Sequence, residues 1–259
     1  MPPHLVELHI RECGLESPLI SESKQIIENK APLPIQLQIL RISSCQLNDF
    51  EVRELSELTT LELYDCSIGA SGIKISGCSK LEKIVLFKCT ELNDAKLLNM
   101  LRPLLKEEQQ SDVEEPGEES EKPATNDDDS IFDIASRGNR KTGPLKKLFL
   151  TECEPLSNPV IQSNSLEEIK IIDCKFISKP FISCPSLTKL QLNWCENLKS
   201  LNLACDNLQC IDLTGAGVTY SSSQSNSQGT ATRKDENVVI QQVIAGLKKH
   251  YGDQITITV

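Results

Sequence analysis

Apolar residues recur along this chain in one fixed phrase. Leu5, Leu37, Leu58, Leu81, Leu145, Leu166, Leu187 and Leu208 each open the pattern LxxLxL. Two apolar residues follow at three and five places further on: Leu8 and Ile10, Leu40 and Ile42, Leu61 and Leu63, Ile84 and Leu86, Leu148 and Leu150, Ile169 and Ile171, Leu190 and Leu192, Ile211 and Leu213. Eight places after the opening leucine stands a cysteine in the first seven copies (Cys13, Cys45, Cys66, Cys89, Cys153, Cys174, Cys195) and Ala216 in the eighth. The steps 37→58, 145→166, 166→187 and 187→208 are all 21 residues, and 58→81 is 23. Alternation of apolar and polar positions predicts a short strand in each copy, with successive side chains on opposite faces. One copy cannot bury its apolar side alone. Stacked copies bury a continuous core, which predicts a solenoid whose parallel sheet lies on the concave side.

The return legs differ between copies. Residues 161–163, 182–184 and 203–205 carry the small motif Ile161-x-Ser163, Ile182-x-Cys184 and Leu203-x-Cys205, each ending three residues before the next opening leucine. A 21-residue copy is too short for a full helix, so these predict extended or 3-10 segments on the convex side. After the last copy, Ile240, Val243, Ile244, Leu247 and Tyr251 follow a helical period, with Asp235 or Asn237 to start it and Gly252 to end it. Ile255, Ile257 and Val259 then alternate with threonines, a strand signature. Residues 236–259 are therefore expected to be a helix–strand cap over the open end of a solenoid spanning 1–218. A similar amphipathic piece, Ser21 to Asn29, sits inside the long first copy.

Two segments break the pattern. Between Leu81 and Leu145 lie residues 106–129, with eleven acids and two lysines. They carry almost all of the net charge of −10. Such composition predicts a disordered acidic insertion over 106–143, and a loop of that kind adds little closure cost to the stack. Ile131, Phe132 and Ile134 are its one apolar patch, read either as docking back on the solenoid or as a short linear motif. Ser111 and Thr125, each followed three places on by an acid, are weak matches to acid-directed kinase sites. Residues 219–235, rich in Ser, Gln and Thr, read as a flexible linker.

Composition narrows the function classes. The folded part is near neutral, and the whole is acidic, which disfavours nucleic acid. No apolar run approaches the ~20 residues of a membrane helix, so no membrane partner is expected. The first residues, MPPHLVELHIREC, lack a basic n-region and an apolar stretch, so a cytoplasmic or nuclear protein with reduced thiols is expected. Seven of the 11 cysteines fall in the repeat register, and Cys205 and Cys210 are the only near pair off it, so the close double pairs of a zinc site are missing and no metal is expected. His4, His9 and His250 are the only histidines, and none is paired with a nucleophile. Gly215-Ala216-Gly217 lacks the helix and lysine of a phosphate loop and reads as a turn. No catalytic residue and no cofactor is expected.

The phrase LxxLxLxxC at this period resembles the leucine-rich repeat, over residues 5–218 apart from the insertion. Its α/β fold is implied by the resemblance. Cys89-Thr90-Glu91-Leu92-Asn93-Asp94-Ala95, followed by Leu97-Leu98, resembles the helical return leg of the cysteine-containing repeats of F-box proteins. That resemblance implies substrate selection for ubiquitin ligation, although no F-box stands ahead of Leu5. Residues 34–45, PIQLQILRISSC, resemble repeats of plant immune receptors. A regulatory or effector protein signalling through its acidic loop is the alternative.

The register names the residues that face outward on the sheet. Between the two core positions stand His9, Arg41, Glu62, Val85, Phe149, Lys170, Gln191 and Asp212, and two places further on stand Arg11, Ser43, Tyr64, Phe87, Thr151, Ile172, Asn193 and Thr214. The ends are polar, whereas the middle gathers Tyr64, Val85, Phe87, Phe149 and Ile172, with the sole tryptophan, Trp194, at the strand edge. In a chain with only 4% aromatics, an outward apolar patch marks a contact site. These six residues are the candidate protein-binding site of a non-enzymatic scaffold expected to be monomeric. The competing reading is that the insertion or a helix of a long copy covers them.

Overall fold

The computed structural model describes residues 5–12, 14–16, 20–21, 36–105, 145–217 and 238–259. Cys13, residues 22–29 of the first copy, the insertion 106–143 with Ile131–Ile134, and the linker 219–235 lie outside them. The first three copies each contribute three strands: β1 (Glu7–Arg11), β2 (Gly14–Glu16) and β3 (Ile20–Ser21); β4 (Ile39–Ser43), β5 (Gln46–Asn48) and β6 (Phe50–Arg53); β7 (Thr60–Tyr64), β8 (Ser67–Ile68) and β9 (Ile73–Ser76). The fourth has β10 (Lys83–Phe87) and the helix α1 (Asp94–Leu101). The next three have two strands each: β11 (Lys147–Thr151) and β12 (Val160–Gln162), β13 (Glu168–Ile172) and β14 (Phe181–Ser183), β15 (Lys189–Asn193) and β16 (Asn202–Ala204). The last copy has β17 (Cys210–Asp212), followed by α2 (Val238–Tyr251) and β18 (Thr256–Thr258).

These strands form a parallel β-solenoid. One nine-stranded sheet runs β1-β4-β7-β10-β11-β13-β15-β17-β18, and three-stranded sheets β2-β5-β8, β3-β6-β9 and β12-β14-β16 make the other sides. The pairing is parallel and keeps the sequence register: Leu8 opposes Leu40, Ile84 opposes Leu148, and Ile169 opposes Leu190. Because β10 pairs directly with β11, the insertion leaves the main ladder unbroken. The opening leucines from Leu37 onward and both following core positions from copy two onward are buried in one continuous core. Among the described residues no helix is long and apolar enough to cross a membrane.

Each copy turns at the same place. Glu12, Ser44, Asp65, Lys88, Glu152, Asp173, Trp194 and Gly215, the residues directly before the register cysteine or Ala216, all have φ between 51° and 70°. Non-glycine residues rarely adopt this left-handed conformation. Here the stack holds them. The Asp65 amide donates to the Phe87 carbonyl at 2.8 Å, the Lys88 amide to Thr151 at 2.9 Å and the Glu152 amide to Ile172 at 2.9 Å, so the ladder continues through the turn into the next copy. At Gly215 the conformation alone does not require glycine, since the other copies manage without it. An added Cβ there would lie 2.3 Å from the Trp194 ring, so the close approach demands it.

The cysteines form two columns. The register thiols reach back one copy to the second core position: Cys66 to the Ile42 carbonyl at 3.6 Å, Cys89 to Leu63 at 3.8 Å, Cys153 to Leu86 at 3.5 Å, Cys174 to Leu150 at 3.9 Å and Cys195 to Ile171 at 3.7 Å. A second column runs on the return side, where Cys184 donates to the Ile161 carbonyl and Cys205 to Ile182. Cys78 and Ser163 hold the same place, three residues ahead of an opening leucine. A small, soft side chain that can donate one weak hydrogen bond suits a buried turn where a carbonyl needs a partner.

The helix of the fourth copy replaces a return strand, and polar staples compensate. Asn93 caps it by accepting from the Lys96 amide at 3.0 Å. The Lys96 ammonium donates back to the Ile68 carbonyl at 2.9 Å, while the Asp94 carboxylate accepts forward from the Ser157 amide and hydroxyl at 3.0 and 2.8 Å and the Asn158 amide at 2.9 Å. One side chain thus ties the helix of copy four to the return leg of copy five. The return legs of copies five to seven are extended, as their small motif predicts. Away from α1, α2 and short 3-10 turns, strands make up the described fold. At the far end β18 pairs in parallel with β17, and Ile240 and Leu247 of α2 are buried in the common core.

Candidate functional site

The structure puts Tyr64, Val85, Phe87, Phe149 and Ile172 at outward positions of the nine-stranded sheet, while Trp194 stands in the turn just past β15. Thr60, Glu62 and Tyr64 oppose Lys83, Val85 and Phe87, which oppose Lys147, Phe149 and Thr151, which oppose Glu168, Lys170 and Ile172. Tyr64, Val85, Phe87, Phe149 and Ile172 are half-buried, and Trp194 is 43% exposed. Leu86 and Leu150, their strand neighbours, are fully buried. Neighbouring side chains on the same face account for the partial cover. The Tyr64 and Phe87 rings lie 6.1 Å apart and tilted. The Phe149 ring carries the Lys170 ammonium 4.5 Å and the Lys83 ammonium 5.6 Å from its centre, and the Lys88 ammonium lies 5.3 Å from that of Phe87. Such cation–ring contacts are worth ~0.5–1 kcal/mol at exposed positions. The helix α1 packs on β9 and β12, at the back of the molecule, and does not cover the patch.

One residue departs from simple alternation. Glu62 is outward by register yet only 4% exposed. It accepts from the Arg41 guanidinium at 2.6 Å, the Tyr64 hydroxyl at 3.0 Å and the Lys83 ammonium at 3.2 Å. Burial alone would raise its pKa, but hydrogen bonds from Arg41, Lys83 and Tyr64 outweigh it and hold the carboxyl below the usual range. The Tyr64 hydroxyl moves the other way, raised by burial and by its bond to the Glu62 carboxylate. Arg41 also contacts Glu7 and reaches His9 at 3.0 Å, closing a network over the first three copies. Cross-strand neighbours of opposite charge at Arg41, Glu62 and Lys83 were the available signal for it.

The two edges of the middle copies carry opposite charge. Lys83, Lys147, Glu168 and Lys189 hold the first outward position of successive strands, with Lys170 in the central row; Glu168 pairs with Lys170 and Lys189 at 3.1 and 3.7 Å. Lys147 has no ion-pair partner among the described residues. On the turn edge a groove is lined by Asp65, Glu152, Glu154 and Asp173, with Lys88 and Lys175. Lys88 pairs with Glu152 at 3.2 Å, leaving Asp65 and Asp173 unpaired among the described residues. Beyond that edge stands Phe176, 55% exposed, which lies off the strand pattern and was not signalled by it.

The thiols offer little chemistry. Burial pushes Cys66, Cys184, Cys195 and Cys205 up, Cys195 to about 12. Cys89 and Cys174, hydrogen-bonded to Cys153 and buried, are pushed up too. Those hydrogen bonds, from Cys174 and Cys89, favour the thiolate of Cys153, but that side chain is fully buried and no substrate reaches it. No group of three or more His, Cys, Asp or Glu poised for a metal occurs among the described residues. Comparison with protein-family models, with curated proteins and with solved structures finds no match to this chain.

Proposed function

We propose that this chain is a leucine-rich-repeat scaffold without enzymatic activity. It binds a protein partner on the outer, concave face of its long sheet, through Tyr64, Val85, Phe87, Phe149, Ile172 and Trp194. One observation carries the reading: Val85, Phe87, Phe149 and Ile172 form a half-exposed apolar patch on adjacent in-register strands. Aromatic anchors ringed by charged residues are the arrangement of interface hot spots. The F-box style of the fourth copy supports substrate reception in ubiquitin ligation as the biological setting, in cytoplasm or nucleus and as a monomer.

Site-specific photo-crosslinking tests the face. A benzoylphenylalanine at position 149 should give a discrete adduct with the same partner in repeated lysate preparations. The same group at Phe181, half-buried on the return sheet, should give none. Adducts from position 181 with none from 149 would overturn the assignment.

A further inference from the structure

We infer that the occupant of this face is an amphipathic α-helix with an acidic flank and a basic flank, lying across the strands of copies three to six. The inference rests on the protein-binding reading above and goes on to name the chemistry of the partner.

The first step concerns the partner's backbone. The patch is the face of a sheet, where only side chains are offered; the strands' own amides and carbonyls are used between copies. An extended peptide laid there would find no backbone partners, and unpaired amides under cover are costly. A helix satisfies its backbone internally.

Dimensions agree. From the first outward position to the turn residue is five residues of strand, about 16 Å, which accommodates a helix about 10–12 Å wide with charged side chains reaching to either edge. From Tyr64 to Ile172 is three strand spacings, about 14 Å, the rise of roughly ten helical residues.

Charge supplies the polarity. Lys83, Lys147 and Lys189 line one edge with Glu168 among them, and Asp65, Glu152 and Asp173 line the other with Lys88 among them, so the edges differ in net sign; Val85, Phe87, Phe149, Lys170 and Ile172 lie between. Lys147, Asp65 and Asp173 have no ion-pair partner among the described residues, so both edges retain unmatched charge. An apolar stripe flanked by acid over the lysines and base over the aspartates matches this surface. A helix with one sign on both flanks meets repulsion at one edge. The split also fixes direction, because turning the helix end for end exchanges its flanks.

Three synthetic Ala-rich helical peptides, each with the same leucine stripe, test this against the intact protein. One has Glu on one flank and Lys on the other, one Glu on both, one Lys on both. Titration followed by Trp194 fluorescence should show the split-charge peptide binding about tenfold tighter than either single-sign peptide, as two weak rim pairs allow. Lys147→Glu should move the preference toward the all-Lys peptide. Trp194 stands past β15, beyond the copy-six end of the patch, so a quencher on the peptide N-terminus and one on its C-terminus should quench unequally. Exchanging the two flanks should reverse which end quenches. Equal affinity for the three peptides, tighter binding of a single-sign peptide, no binding at millimolar concentration, or quenching from the same end in both flank arrangements would overturn the inference. A crosslinked partner at position 149 alongside such a failure leaves the binding face standing; its absence sinks both.

Discussion

The same ladder position does opposite work in the third and fifth copies. At Glu62 the outer face closes on itself: Arg41, Tyr64 and Lys83 converge on one carboxylate, which ends up 4% exposed. At Phe149, two strands along, the ring is answered only by lysine ammonium groups at 4.5 and 5.6 Å. Backbone, register and core are shared between the two regions. What differs is whether the outward side chains satisfy one another. A face that consumes its own donors and acceptors stabilises the stack; a face that leaves apolar area and unmatched charge can bind something else.

The comparison presumes that inward and outward alternate strictly, and the largest expected effect tests that. Leu150→Asp puts an unpaired charge into the core and should cost about 3–5 kcal/mol or prevent folding, whereas Phe149→Asp, one residue away, should cost about 1 kcal/mol or less. Denaturant melts of the two variants decide it; equal losses would show that Phe149 is core.

Next in size is the Glu62 network. Glu62→Gln should destabilise by about 1–2 kcal/mol near neutral pH, through loss of charge-assisted hydrogen bonds. Because the folded pKa lies below the ordinary value of 4.5, this contribution is complete above that pH and is lost as pH falls through the folded value. The gap between wild type and Glu62→Gln should therefore close on acidification below about pH 4.5. A gap independent of pH would mean the carboxylate is not the source.

Gly215→Ala should cost about 1–3 kcal/mol, since the added methyl meets the Trp194 ring, and should shift Trp194 fluorescence. An unchanged emission spectrum with full stability would remove the ring from its assigned place. His9→Ala, exposed at the polar end of the sheet, should do least, within about 0.5 kcal/mol.

The fold was legible where a periodic constraint acts on many residues at once. Register, strand faces and the main cysteine column all follow from repeats of one phrase, and so do the extended return legs of copies five to seven. The parts that depend on single side chains were not legible. The extra sheets beside β5 and β6 arise in copies whose return legs lack the small motif of copies five to seven. The left-handed turn is invisible because Glu, Ser, Asp, Lys and Trp all occupy it, held there by hydrogen bonds to the next copy rather than by their own preferences. Of the site, alternation placed five of the six named residues on the outer face of the strands, with Trp194 in the turn past β15; it gave no sign that Glu62 would be buried, because that needs three long side chains to converge.

The central claim is that the middle of the outer face is a binding surface while the start of it is structural. Phe149→Ala, measured for unfolding and for affinity toward the crosslinked partner on the same sample, tests this most directly. The account predicts a stability change under about 1 kcal/mol and a loss of affinity of about 1–3 kcal/mol. Unfolding of the variant, or full stability with undiminished affinity, would contradict it.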